Sequence, residues 1–211
     1  MPVIYYHNKA IVLNEKPKDY PDKAIVINAD DYRFQDLKDT IITFLNAADA
    51  LCLYIRTDRQ KQMQKQIFCM FDMITASGGL VINNQKQVLM IKRWGVWDFP
   101  KGKVENYENA EEGALREVSE ETGVKAVTLA ADPFLTYHIY QNQNRYILKQ
   151  TLWYAMKASG EQPLIPQQEE DIEEVVWVQF NQVAIYLENS YASLKELWKR
   201  FLSKTLAETD F

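Results

Sequence analysis

Apolar positions along the chain follow two regimes. Over the first sixty-odd residues they come in short runs, "VIYYHNKAIVLN" and "KAIVINA", rich in the β-branched and aromatic residues that predict strands. "EKPKDYPDK" between them, with Pro17 and Pro21, predicts a loop. "FQDLKDTIITFLNAAD" carries a helical spacing, "ALCLYIR" reads as the strand that follows, and Asp58 to Phe68 reads as a polar, glutamine-rich helix or linker. These elements predict a small α/β N-terminal region over 1–67.

From Cys69 strands dominate. "MFDMITASGGLVIN" and "QKQVLMIKR" predict a pair joined at "NNQK", and "GVWDFPKGK" breaks the pattern as a loop through Pro100 and Gly102. A helix follows over about 110–122. Strands are then expected in "VTLAADPFLTYHIYQ", "RYILKQTLWYAM" and "VVWVQF", and "NSYASLKELWKRFLSKTL" closes the chain as an amphipathic helix. Residues 68–211 are expected to form an α+β domain with a layered sheet.

Composition narrows the function. The 211 residues carry a formal net charge of -5 and a pI near 5.2, which gives no basic field for a nucleic-acid backbone, so polymeric nucleic acid is not an expected partner. No run is long and apolar enough for a membrane span, and "MPVIYYHNKA" lacks the pattern of a secretory signal. Cys52 and Cys69 fit no metal or disulfide pattern, which suits a reducing, cytoplasmic setting.

The chemistry is concentrated in "GKVENYENAEEGALREVSEETGV", Gly102 to Val124, with seven glutamates and no aspartate. Asn109 with Glu112 predicts a capping box, and Gly123 a left-handed helix end. At helical spacing Ala110, Ala114 and Val118 form an apolar stripe, and Glu117, Glu120 and Glu121 share the adjacent arc. Like charges four apart repel, which a bound cation would offset. Three carboxylates with a backbone oxygen suit Mg2+ or Mn2+. Gly113 leaves room for close approach by a packed strand or by metal-bound phosphate. Arg116 has a local partner in Glu112.

Gly102, Glu108 and "REVSEETGV" from Arg116 to Val124 resemble the Nudix box without a mismatch. The resemblance extends in element order over roughly residues 69–205. It implies an α/β/α sandwich around a mixed sheet and metal-dependent hydrolysis of a nucleoside diphosphate linked to another group. It also implies that Glu117, Glu120 and Glu121 bind metal with the Gly102 carbonyl, that Glu117 or Glu120 can serve as base, and that Arg116 pairs with Glu108. Tyr107 departs from the glycine many relatives have before the first box glutamate, so the loop is expected to differ there.

"WDFPKGKVE" is similar to Nudix enzymes that cut dinucleoside or diphosphoinositol polyphosphates, which makes dinucleoside polyphosphate the first substrate expectation. ADP-ribose and noncanonical nucleoside triphosphates come next. Arg93, Lys101 and Lys103 are candidate phosphate contacts. Lys149, on one strand face with Arg145, Ile147 and Thr151, is another candidate substrate contact, and Tyr137 or Tyr140 is a candidate stacking surface for a base. In "QQEEDIEE", Glu170 and Glu173 are candidates for an extra metal ligand or base, whereas His138 reads as structural. The N-terminal region has no recognisable motif; shaping the pocket, forming a homodimer interface and binding a second ligand are all open to it. A nucleotide-sensing regulator of the same fold, and an interaction domain whose acidic helix is merely solvated, are the competing classes.

Overall fold

Strands form where β-branched and aromatic residues cluster, and helices where apolar residues recur at one-turn spacing. The computed structural model describes residues 3–14, 23–128 and 132–207; the predicted loop with Pro17 and Pro21 lies outside the described residues. In chain order the elements are β1 (Val3–Tyr6), β2 (Lys9–Leu13), β3 (Ala24–Asn28), α1 (Phe34–Asn46), β4 (Cys52–Arg56), α2 (Gln60–Phe68), β5 (Asp72–Asn83) and β6 (Gln87–Arg93). They continue as β7 (Val96–Asp98), β8 (Lys101–Lys103), α3 (Ala110–Thr122), β9 (Ala126–Thr128), β10 (Phe134–Asn142), β11 (Arg145–Ala158), β12 (Ile172–Gln179), α4 (Val183–Tyr186) and α5 (Ala192–Ala207). Among the described residues no helix is long and apolar enough to cross a membrane.

The chain forms two compact units. The first runs up to Ile74 and also takes in Tyr137–Lys149, the distal part of β10 and β11. In it β1 pairs antiparallel with β2, β2 and β3 each pair parallel with β4, and β1 pairs parallel with β10 at Ile4↔Tyr137 and Tyr5↔His138. Helix α1 buries Leu37, Ile41, Phe44 and Leu45 on one face, as its spacing requires. Its last carbonyls are capped by an unexpected group. The buried Lys9 ammonium donates to the carbonyl oxygens of Phe44 and Leu45, each at 2.8 Å, and to that of Ala47. Cationic donors suit a helix C-terminus, where four carbonyls lack intrahelical partners. Burial lowers the Lys9 pKa.

The second unit comprises Thr75–Thr136 and the residues from Gln150 onward. There β12 pairs antiparallel with β6, and β6 with β5. Alternation sends Leu80, Val88 and Met90 into a core with Phe99, Trp153, Trp198 and Phe201 beneath α5. The intervening Val81, Leu89 and Ile91 join Ala114, Val118 and Met156 beneath α3. The result is the expected helix–sheet–helix sandwich. Burying a Val side chain contributes about 1.5–3 kcal/mol, so Val118, fully buried, anchors α3 to the sheet.

One expected loop is partly strand. Within "GVWDFPKGK", Val96–Asp98 pairs with β6 and Lys101–Lys103 with β5, register Ala76↔Lys103, Ser77↔Gly102 and Gly78↔Lys101. Three-residue strands are too short to show a period, and Pro100 between them masks both.

Candidate active site

Helix α3 spans the residues its end signals predict. The Asn109 side chain accepts from the backbone N–H groups of Glu111 and Glu112, both at 3.0 Å, and Glu112 Oε2 accepts from Asn109 N–H at 2.9 Å. Gly123 closes it at φ 75°. Glu112 is thus spent on the cap and does not pair with Arg116. A Cβ on Gly113 would lie 2.9 Å from Ser77 Oγ and 3.0 Å from Glu108 Oε1, so the glycine serves close helix–strand packing.

With Ala114 and Val118 buried, the acidic arc turns toward β8. Glu121 is 1% exposed and accepts from the Lys101 backbone N–H at 2.7 Å. Burial pushes its pKa up to about 7, against the opposing pull of the Lys101 ammonium and N–H. Glu117 lies against Gly102: a Cβ built on that glycine would fall inside the Glu117 carboxylate. Its pKa is also raised, chiefly by burial, with the Glu120 and Glu170 charges adding to the effect and Arg116 opposing it. Glu120 is half exposed.

Arg116 holds these groups together. Its Nε and Nη2 donate to Glu108 at 3.0 and 2.6 Å, Nη2 also reaches the Lys103 carbonyl at 3.0 Å, and Nη1 donates to Glu117 at 2.8 Å and Glu120 at 2.7 Å. Hydrogen bonding to Glu108 leads the causes that raise the arginine's pKa, and the same contact lowers that of Glu108. Glu108 also accepts from Glu105 N–H at 2.8 Å, so the loop before α3 is tied to the helix.

The donor set fits a hard divalent cation in its chemistry. All its atoms are oxygens, two of its carboxyls have pKa values raised by burial, and the position whose Cβ would fall inside the Glu117 carboxylate is a glycine. Among the described residues, however, no three acidic, histidine or cysteine side chains already converge on one point. Glu117 and Glu120 are drawn onto Arg116, and Glu121 onto the Lys101 amide. Arg116 Nη1 engages one oxygen of each of those two carboxylates, Glu117 Oε1 and Glu120 Oε2.

Residues 73–200 match the NUDIX domain family. The chain belongs to the Nudix family. Among similar proteins, a Bacillus subtilis protein provisionally named an 8-oxo-dGTP diphosphatase is 47% identical over 53 residues, covering 24% of this chain and 36% of its own length. Nudix hydrolase 2 of Arabidopsis thaliana is 28% identical over 140 residues, covering 63% of this chain and 48% of its own. The chain spans about half the length or less of these relatives. A Caenorhabditis elegans Ap4A hydrolase structure shares the fold at TM-score 0.53 and 17% identity, covering 64% of this chain and 98% of that one. The MutT protein of Methanosarcina mazei does so at TM-score 0.50 and 22% identity, covering 64% and 96%.

Around the Nudix box the other expected residues fall into two groups. Arg93 donates to Glu170 at 3.1 Å, Glu173 accepts from the Gly95 N–H at 2.8 Å, and the Lys101 ammonium sits 3.0 Å from Asp98. Burial lowers the Lys101 pKa, but the Asp98 and Glu121 charges outweigh it and the net shift is upward. Lys103 is exposed and lends its carbonyl to Arg116. Tyr137 and Lys149 belong to the first unit. Tyr137 is 6% exposed with its ring 4.9 Å from that of Phe68, so the expected stacking face is taken up by packing. Tyr140 and Lys149 are half-buried. Two residues escaped the sequence reading. Asp98 is buried and pairs with Lys101, a spacing of three that could have flagged it, and Trp94 stands exposed at the β6–β7 turn.

Proposed function

We propose that the chain is a pyrophosphohydrolase dependent on a divalent metal, Mg2+ or Mn2+, that cleaves a nucleoside diphosphate linked to another group, with a dinucleoside polyphosphate as its first substrate. The observation that carries this reading is the Glu117 carboxylate lying against Gly102, with Glu120 and Glu121 on the same helical arc. In this reading Glu117, Glu120, Glu121 and the Gly102 carbonyl hold the metal, which when bound neutralises phosphate oxygens and lowers the pKa of a water. Arg116 and Glu108 fix the loop and the helix so that the carboxylates face β8. Water attacks phosphorus, a new P–O bond forms, the bridging P–O bond breaks, and a glutamate takes the water's proton. Glu120, half exposed, and Glu170, whose charge acts on Glu117, are the candidates for that base. Arg93, Lys101 and Lys103 supply positive charge toward the phosphates. Cys52 and Cys69, both free thiols, suit the cytoplasm.

A second reading, a noncanonical nucleoside triphosphate as substrate, is favoured by the Bacillus subtilis relative's name. A product screen with diadenosine tetraphosphate, ADP-ribose and 8-oxo-dGTP in magnesium separates the two. Glu120→Gln is expected to lower turnover at least about a hundredfold. Wild-type activity in that variant overturns the assignment, and nucleotide binding with no product under any metal points to a sensor instead.

A further inference from the structure

The turn between β6 and β7 is built from an unsuitable residue. Arg93 pairs with Val96, leaving a two-residue loop in which Trp94 has φ 52° and Gly95 φ 73°. Two successive positive φ values define the hairpin turn that asparagine or aspartate followed by glycine adopts without strain, and that a bulky L-residue takes only at a cost. The tryptophan gains little burial in return, since it is 65% exposed.

It is nevertheless held firmly. Indole Nε1 donates to Asp171 Oδ2 at 3.2 Å, and the Arg93 guanidinium lies over the ring at 4.4 Å from its centroid. Arg93 is itself fixed by Glu170, and the Gly95 N–H by Glu173. The segment that supplies these partners starts on the acidic helix: the Gln167 N–H donates to the Glu121 carbonyl at 3.3 Å. From Gln167 a single 3-10 turn leads to Asp171, a path of roughly 8 Å. The exposed ring is therefore linked through a short, hydrogen-bonded strut to the main-chain carbonyl of Glu121, near the end of α3, and the Glu170 charge that acts on Glu117 belongs to the same strut.

We propose that Trp94, fixed by Asp171 and Arg93, is the platform on which the nucleobase of the substrate stacks, and that it sets preference for nucleotides over phosphate chains lacking a base. This rests on the pyrophosphohydrolase reading above. An indole face accepts any base, and a guanidinium already in contact with the ring limits its motion before the ligand arrives. A purely structural role for residue 94 would be filled better by asparagine.

The test compares wild type with Trp94→Asn and Trp94→Phe on three readouts: KM for diadenosine tetraphosphate, inhibition by inorganic tripolyphosphate, and Tm. The asparagine variant is expected to raise KM on the order of 10- to 100-fold, the loss of one base–aromatic stack. Phenylalanine should keep KM within about threefold, as any aromatic face serves. Tripolyphosphate inhibition should not change in either variant, and Tm should hold or rise in Trp94→Asn because the turn is relieved. An unchanged KM in Trp94→Asn overturns the platform and leaves the hydrolase reading standing. Equal weakening toward tripolyphosphate also overturns it, since the loss would then lie at the phosphate site. If Trp94→Asn proves unstable, the phenylalanine variant decides, and a KM raised more than about tenfold over wild type with Tm unchanged counts against the stack. A wild type that neither binds nor turns over nucleotides overturns both readings.

Discussion

Glu121 makes the metal-free protein less stable as the solution becomes more alkaline. Its carboxyl is 1% exposed, accepts one backbone N–H, and has a pKa pushed from its ordinary 4.5 up to about 7 by burial. The native state therefore binds more protons than the unfolded chain between those two values, and stability falls as pH rises through that window. Below about 4.5 the group is protonated in both states and costs nothing. Above 7 the native protein carries the full cost of a buried carboxylate, roughly 3 kcal/mol. In a chain of this size 1 kcal/mol moves Tm by roughly 2–4 °C, so the roughly 2.5 kcal/mol lost between pH 5 and pH 8 amounts to roughly 5–10 °C. Thermal denaturation in EDTA, comparing wild type with Glu121→Gln, isolates it from other titrating groups. The wild type should lose more Tm than the variant over that range by the stated amount. Parallel Tm profiles for the two proteins would refute the argument. Manganese added at pH 8 should restore the wild-type value, because a cation stabilises the charged form that burial disfavours.

Gly102→Ala should fold with Tm changed by less than about 4 °C, because the three atoms nearest its Cβ all belong to the movable end of Glu117, yet bind manganese at least about tenfold more weakly in a titration; unaltered affinity would show that Glu117 need not lie against residue 102. Glu108→Gln removes the charged partner of Arg116 Nε and Nη2 and should cost roughly 2 kcal/mol in urea denaturation, a loss that double-mutant analysis with Arg116→Gln should show to be shared between the two. Lys9→Met leaves the carbonyls of Phe44, Leu45 and Ala47 without their ammonium donor and should cost about 1–3 kcal/mol by the same measurement, with an unshifted urea midpoint counting against the cap.

What could be read from the residues depended on how local the cause was. The limits of α3 were legible because Asn109, Glu112 and Gly123 act within one turn of the ends they set. The acidic arc was legible because helical spacing alone puts Glu117, Glu120 and Glu121 together. What Arg116 does with them was only half legible: the Glu108 contact came with the family resemblance, whereas its grip on Glu117 and Glu120 depends on a rotamer that spacing does not determine. Strands β7 and β8 went unread because three residues show no alternation, and the turn at Trp94 because tryptophan carries no turn signal. Lys9 looked like an ordinary strand lysine, since its partners lie 35 or more residues away. The inclusion of Tyr137–Lys149 in the first unit has the same origin: β1 finds its parallel partner more than 130 residues later.

That last pairing bears on how the protein can be dissected. A cut after α2 looks clean on paper, but it would take β1 away from β10 and strip the Ile4–Tyr5 backbone from its Tyr137–His138 neighbours. The shortened chain would keep every residue of the Nudix box and gain a raw strand edge, the kind of surface that recruits other copies into aggregates. Attempts to produce the Nudix half by itself should therefore meet poor solubility even with the box intact, and a trimmed version would need the hairpin redesigned along with the amputation.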